Sequence, residues 1–277
     1  MSSTEHPTTL NSEVHHAFSE RVAWHTAVVI NGVLIESRSA NGQIISSEAM
    51  GIGSACSWKG KKLLLTAKHV VDGAVPRDLR FFLRQDRPID WNTRPFPPTG
   101  EEATVLGIQE IVRCSSEDLA CIILEESESG NRLEFANLPQ DFGDVPPDGS
   151  GTLIFGSPAD RCVCIGEFQQ LNGQRRRDLA VEPRGCWVVV AGEPPMFFPS
   201  SFDSDRHFLL RYDPDEEGSL PFGFSGAGVW YRRQRNDSIW VADPVLAGVQ
   251  VGWHRESKLM TAIRSSVVKE FLDTEVS

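Results

Sequence analysis

Short apolar runs, rich in Val, Ile, Leu and Phe, recur along most of the chain between polar, Gly-containing and Pro-containing stretches. Runs of this length, repeated at short intervals, are typical of strands in antiparallel sheets. The pattern therefore predicts an all-β fold. The predicted strands lie at 27–30 and 33–35, as a pair around an Asn-Gly turn, and at 53–58, 62–66, 79–83, 103–108, 119–124, 152–155, 186–190, 207–211, 226–231, 239–241 and 245–251.

Helical spacing of apolar residues is found near the two ends of the chain. Val14, Phe18 and Val22 fall on one side of a short N-terminal helix, with Asn11 or Ser12 as its cap. Near the other end, a second set of apolar residues predicts a C-terminal helix. This second set consists of Met260, Ile263, Val267, Val268 and Phe271.

A stretch rich in Pro and acidic residues, 138–150, separates the predicted strands into two comparable sets. Two small antiparallel barrels joined by this linker would explain the layout. The predicted organisation is a tail and short helix over 1–24, a first barrel over 25–137, the linker, a second barrel over 151–258, and a helix over 259–277.

Length and charge narrow the classes of function. A chain of 277 residues can form one large domain, or two halves that share a site where they meet. Lys and Arg number 27 and Asp and Glu number 38, so the formal net charge is −11, which argues against binding to a phosphate backbone. No apolar run approaches the ~18 residues that a membrane span needs. We therefore expect neither nucleic acid nor a membrane as a partner.

The cysteines bear on the cellular compartment. Residues 1–20 are polar and lack the apolar segment of a secretory signal, so we expect a cytoplasmic protein whose six cysteines are reduced and mostly buried. Cys162 and Cys164 share one face of a strand, but no second pair at zinc-finger spacing accompanies them. We expect no metal and no cofactor.

Three segments carry the residue types of nucleophilic acyl transfer. His69 ends the run Thr-Ala-Lys-His, Asp118 precedes the apolar run at 119–124, and Ser225 lies between glycines in Gly-Phe-Ser-Gly. This chemistry needs a hydroxyl, a neighbouring base, an acid that orients the base, and hydrogen-bond donors for the oxyanion. The sequence supplies the base, the acid and the hydroxyl in the order His, Asp, Ser.

These segments resemble the chymotrypsin-like (trypsin-like) serine peptidase family, and they are nearer to its bacterial Deg-type members than to the disulfide-rich digestive enzymes. The resemblance implies two six-stranded antiparallel barrels and a serine endopeptidase that acts on proteins or peptides. It rests on six segments in the family's order: 51–55, 64–71, 118–122, 156–158, 223–226 and 246–249.

The resemblance also implies roles for individual residues. His69 is the general base, Asp118 orients it, and Ser225 is the nucleophile. The backbone N–H groups of Gly223 and Ser225 form the oxyanion hole, where a glycine tolerates unusual dihedral angles. Glu117 could compete with its neighbour, but the apolar run begins directly after Asp118, so we expect Glu117 to face solvent.

The same correspondence places Ser219 at the base of the primary substrate pocket and Val251, Gly252 and Trp253 along its wall. A neutral residue at the base offers no carboxylate to a Lys or Arg side chain of the substrate. The expected preference is for small or apolar side chains.

Two departures from the family bear on regulation and on the base. Phe224 stands where activated digestive enzymes carry an aspartate that pairs with a freed N-terminus, so we expect gating by a partner or ligand instead of activation by cleavage. Lys68 stands next to His69, and an approaching ammonium group would disfavour the protonated imidazole.

Three other readings are open. The first is a catalytically silent, peptidase-like binding module, and the second is a plain β-barrel binding module. The third is an α/β-hydrolase esterase, in which Ser225 is followed by Asp237 or Asp243 and then by His254. The segment 223–227 lacks the last glycine of the esterase elbow, and no alternation of strands and helices precedes it.

Overall fold

Strands build the body of the chain, as the spacing of its apolar runs predicts. The computed structural model describes residues 8–31, 50–76, 79–83, 107–125, 133–138, 140–156, 162–171, 174–181, 184–232 and 243–276. The predicted strands at 33–35 and 239–241 and most of that at 103–108 lie outside these residues, as do Asp237 and the segment 157–158. The all-β prediction is confirmed.

The first half of the chain forms one sheet. Its strands are β1 (Thr26–Asn31), β2 (Met50–Trp58), β3 (Lys61–Thr66), β4 (Leu79–Leu83), β5 (Ile108–Arg113), β6 (Ala120–Leu124) and β7 (Ala136–Leu138). Six strands are antiparallel in the order β4-β1-β2-β3-β6-β5, and β7 adds a parallel pairing to β2. Within the described ranges β4 and β5 do not pair with each other, so the sheet is open there.

The second half contains the closed six-stranded barrel that the sequence predicts. The strands of this half are β8 (Gly151–Gly156), β9 (Cys162–Leu171), β10 (Gln174–Val181), β11 (Arg184–Ala191), β12 (His207–Arg211), β13 (Gly228–Arg232), β14 (Pro244–His254) and β15 (Leu259–Arg264). The barrel order is β11-β12-β15-β14-β13-β8, and β9 and β10 form a separate hairpin.

The helices at both ends are present, but their bounds differ from the prediction. Helix α1 spans Thr8–Trp24, α2 is a single turn at Pro214–Glu217, and α3 spans Ser265–Glu275. The prediction of helix from residue 259 was wrong, because Leu259–Arg264 forms β15 and closes the barrel between β12 and β14. Both Met260 and Ile263 are buried in that strand.

One apolar cluster is shared by the two halves and by both terminal helices. Phe18 of α1, Trp58 of the first sheet, Trp230 of the barrel and Phe271 of α3 are all buried in it. The two halves are therefore packed against each other through a common core. In the described part of the chain, no helix combines the length and the apolar character needed to cross a bilayer.

Candidate active site

A 3₁₀ helix at Lys68–Val71 carries His69 directly after β3. Val70 and Val71 are buried, while the His69 side chain is 46% exposed, so the segment is anchored on one side and presents the imidazole on the other. Arg113 Nη2 donates to the carbonyl oxygens of Val71 and Ala74, both at 2.7 Å, and so holds the end of this segment.

Asp118 contacts His69 at two points. The imidazole Nδ1 lies 2.6 Å from Asp118 Oδ2, and the backbone N–H of His69 donates to Oδ1 at 2.9 Å. Because the ionised carboxylate can only accept, the proton of neutral His69 lies on Nδ1 and Nε2 is left as the proton acceptor. This is the tautomer that a general base requires.

The pairing moves the pKa values of both groups. The hydrogen bond that His69 donates to Asp118 raises the pKa of His69, against a smaller opposite effect of burial. Burial would raise the pKa of Asp118, but the hydrogen bonds from the side chain and backbone of His69 outweigh it and lower that pKa. The ammonium of Lys68 donates to the carbonyl of Cys114 at 2.9 Å. The pKa of His69 is raised, so the lowering that an approaching ammonium group would cause does not dominate.

The segment around Ser225 is a tight turn with two glycines in left-handed conformations. Gly223 has φ of +87° and Gly226 has φ of +89°, a region that residues with a Cβ rarely adopt. Phe224 is fully buried between them and lies 5.7 Å from the ring of Tyr212. A Cβ on Gly156 would overlap the ring of Phe224, so this turn is anchored by close apolar packing.

Strand β2 brings this turn to the histidine segment. The carbonyl of Ser225 accepts from Ile52 N at 2.7 Å. A Cβ on Gly51 would clash with that carbonyl and would lie 2.5 Å from Val70 Cγ2. The backbone of Ser225 and the residue after His69 therefore approach the same point on β2.

A second contact joins the two segments one residue further along. Gly226 lies so close to the Ile52 carbonyl and the Thr66 hydroxyl that a Cβ would clash with both. Thr66 Oγ1 itself donates to the Ile52 carbonyl at 2.7 Å. These contacts explain why glycine follows the serine and threonine begins the Thr-Ala-Lys-His run.

The side-chain contact of the predicted triad is only partly formed. Among the described residues, no hydrogen bond joins Ser225 Oγ to His69 Nε2. Over the same part of the chain, the N–H groups of Gly223 and Ser225 donate to no protein acceptor. The structure thus joins His69 and Asp118 directly and brings the backbone of Ser225 close to Val70, the residue after His69. Within the described residues the Ser225 hydroxyl forms no hydrogen bond.

The predicted pocket residues differ in their surroundings. Ser219 is buried, its carbonyl accepts from the Tyr212 hydroxyl at 2.9 Å, and its own Oγ lies 3.2 Å from that hydroxyl. Val251 and Gly252 line a cavity of about 480 Å³ that also contacts Asp118. The ring of Trp253 meets Phe222 edge to face at 6.1 Å. Their role in substrate binding stays a prediction.

The orientation expected for Glu117 was wrong. Its side chain is 10% exposed, and its carboxylate pairs with Arg206 Nε and with His207 Nε2. The barrel places Arg206 and His207 over the loop that carries Asp118, which draws Glu117 inward. No role for Arg206 was predicted from the sequence. The only feature that could have indicated one is its position next to His207, at the start of a predicted strand.

The alternative serine-hydrolase arrangement does not fit the structure. His254 Nε2 lies 2.9 Å from Thr261 Oγ1, and Asp243 forms an ion pair with Arg21 at 2.9 Å; in the part of the chain that the structure describes, neither bonds to Ser225. The barrel also excludes an α/β-hydrolase sheet. No cluster of three or more potential metal-binding side chains occurs within the described ranges.

Comparisons with known proteins support the fold. No protein-family model matches the chain, and no curated protein is similar to it. Among solved structures, the active form of the Rv3671c protease from M. tuberculosis is 13% identical, with a TM-score of 0.52 over 99% of this chain and 92% of that one. A serine-to-alanine variant of Rv3671c, in its inactive form, is 14% identical, with a TM-score of 0.48 over 100% of this chain and 96% of that one.

The active form of Rv3671c therefore shows that this chain has a protease-like fold of the chymotrypsin type. A likeness at this level of identity concerns the fold alone. It does not distinguish Deg-type members from others, and it does not assign a catalytic residue.

Proposed function

We propose that the chain is a serine endopeptidase that hydrolyses peptide bonds through Ser225, His69 and Asp118. The observation that carries the proposal is the two-point contact between His69 and Asp118, together with the approach of the Ser225 backbone to Val70, the residue after His69. A serine that only forms a turn needs no nearby histidine that is held in the tautomer of a general base.

In the proposed reaction, His69 Nε2 accepts the Ser225 proton as Oγ attacks the substrate carbonyl carbon. Asp118 holds the ring and stabilises the imidazolium that forms. The N–H groups of Gly223 and Ser225 donate to the developing oxyanion. His69 then gives its proton to the leaving amine, and water hydrolyses the acyl-enzyme by the same steps in reverse.

The unpaired Ser225 hydroxyl supports regulation of this site. We propose that a partner protein or ligand shifts the turn around Gly223 toward the conformation in which Oγ bonds to His69. The preference is for small or apolar side chains, since Ser219 brings no charge to the expected pocket. The same unpaired hydroxyl also favours the second candidate, a catalytically silent binding module.

A fluorophosphonate probe tests the proposal, because it reacts only with an activated serine. The wild type should be labelled, whereas Ser225→Ala and His69→Ala should not, and peptide hydrolysis should fall on the order of a million-fold in either variant. His254→Ala is the matched control and should still be labelled. If the folded wild type is not labelled, either alone or with cell extract as a source of partner, the proposed activity is refuted in favour of the binding module.

We also propose a cytoplasmic, reducing location. Cys56, Cys114, Cys121 and Cys186 are buried free thiols, as expected. The side chains of Cys162 and Cys164 lie outside what the structure describes.

A further inference from the structure

We infer that Glu117, Arg206 and His207 are positioning residues that hold the Asp118 loop of the first sheet against the barrel that carries Ser225. This inference rests on the proposed function. Arg206 Nε donates to one oxygen of Glu117, and His207 Nε2 donates to the other at 3.0 Å. We call these three side chains the Glu117 clamp.

Burial makes the clamp more than a surface ion pair. The side chains of Glu117 and His207 are each 10% exposed, and that of Arg206 is 32% exposed. Exposed ion pairs contribute little, but a buried carboxylate that loses a partner is left uncompensated. Since both carboxylate oxygens are engaged, Glu117 has one favourable side-chain orientation.

The barrel side of the clamp is held by several hydrogen bonds. Asp203 N donates to His207 Nδ1 at 3.1 Å, so neutral His207 carries its proton on Nε2 and points it at Glu117. The backbone N–H of His207 donates to the Asp203 carbonyl at 2.7 Å. Arg264 Nε in turn lies within hydrogen-bond distance of the Ser204 and His207 carbonyls, at 2.9 and 3.0 Å.

The loop side of the clamp leads directly to the base. Glu117 and Asp118 are neighbours in a short loop that Cys114 N closes by donating to the Leu119 carbonyl at 2.8 Å. In so short a loop, a displacement of Glu117 moves Asp118 as well. The carboxylate of Asp118 would then leave the positions, 2.6 and 2.9 Å away, from which it orients His69.

Three variants test the clamp through kinetics on an unstructured peptide. Glu117→Gln keeps the size of the side chain and removes its charge, and Arg206→Gln removes the opposite charge. We expect kcat to fall about ten- to a hundred-fold in each, with KM within about twofold, because misorientation affects the transition state more than binding. Arg206→Lys keeps the positive charge and should recover part of the loss.

The matched control is Arg21→Gln, which breaks the Arg21–Asp243 pair of 2.9 Å between α1 and the start of β14. It removes the same kind of charge and should leave kcat within about twofold. If the control fell as far as Arg206→Gln, the loss would reflect general destabilisation and the inference would be overturned.

A second readout does not depend on activity. The proton between His69 Nδ1 and Asp118 should give a far-downfield proton NMR signal, which should shift or exchange faster in Glu117→Gln and Arg206→Gln but not in Arg21→Gln. If the wild type is inert to the probe yet this signal responds, the proposed function fails and the positioning role holds. If the folded Glu117→Gln and Arg206→Gln variants keep both kcat and the signal unchanged, the positioning role is refuted. If Glu117→Gln does not fold, the result for Arg206→Gln decides, because the Arg206 side chain is more exposed.

Discussion

Replacing Phe224 by alanine tests whether apolar packing holds the turn that carries Ser225. The ring is 0% exposed, contacts Tyr212, and fills the space where a Cβ on Gly156 would otherwise sit. Removing a fully buried phenyl group typically costs about 3–5 kcal/mol, which combines the lost transfer free energy with the cavity left behind. We expect the free energy of unfolding of Phe224→Ala to fall by that amount.

The assay combines urea unfolding with the rate of fluorophosphonate labelling under conditions where the variant is folded. Labelling should slow by more than the unfolded fraction explains, because the turn between Gly223 and Gly226 loses its anchor. Gly156→Ala alone should cost about 1–3 kcal/mol by overpacking, and less when Phe224 is also alanine. A loss below about 1 kcal/mol for Phe224→Ala, or additive costs in the double variant, would refute this account of the turn.

Three further predictions concern the base and its surroundings. Asp118→Asn should slow labelling about 10⁴-fold, because the amide favours the wrong imidazole tautomer, and should lower the His69 pKa in an NMR titration. Wild-type labelling should rise with pH to a midpoint above the ordinary His value of about 6.5, since the pKa of His69 is raised; a midpoint below 6 would contradict the pairing. Gly226→Ala should lower the free energy of unfolding in urea by at least about 1–3 kcal/mol and abolish labelling, because the φ of +89° and the nearby Ile52 carbonyl both exclude a Cβ. An unchanged free energy of unfolding would show that the turn can move.

The raised and lowered pKa values also set how stability depends on pH. Folding raises the pKa of His69, so its stabilising contribution is full below about pH 6.5 and is lost as the pH rises through the raised pKa. Folding lowers the pKa of Asp118, so its contribution is present above about pH 4 and is lost as the pH falls through the lowered pKa. The pair is therefore at its most stabilising between these two limits.

The sequence predicted the elements whose signal is local. Apolar runs identified most strands, and Gly-Phe-Ser-Gly identified a turn in which both glycines adopt positive φ. Residues 259–264 were misread because Met260 and Ile263 suit a helix face as well as a strand that is buried within a barrel. Only pairing with two distant strands, β12 and β14, decides between them.

The surroundings of the base could not be predicted in the same way. Glu117 looks like an exposed loop residue, and its partners lie 89 and 90 positions away in the chain. Arg113 supports the His69 segment from 42 and 39 positions away. The Glu117 contacts depend on how the two halves pack, and the Arg113 contacts depend on how distant segments of the first half pack. Nothing in the neighbouring sequence marks either set.

The apolar cluster that contains Phe18, Trp58, Trp230 and Phe271 has a consequence for how the protein denatures. Because both halves contribute to it, neither can lose its structure without exposing apolar surface on the other. Heating should therefore produce a single calorimetric transition in place of two. The His69–Asp118 pair and the Ser225 turn would then be lost together on unfolding, with no species in which only one half of the site is folded.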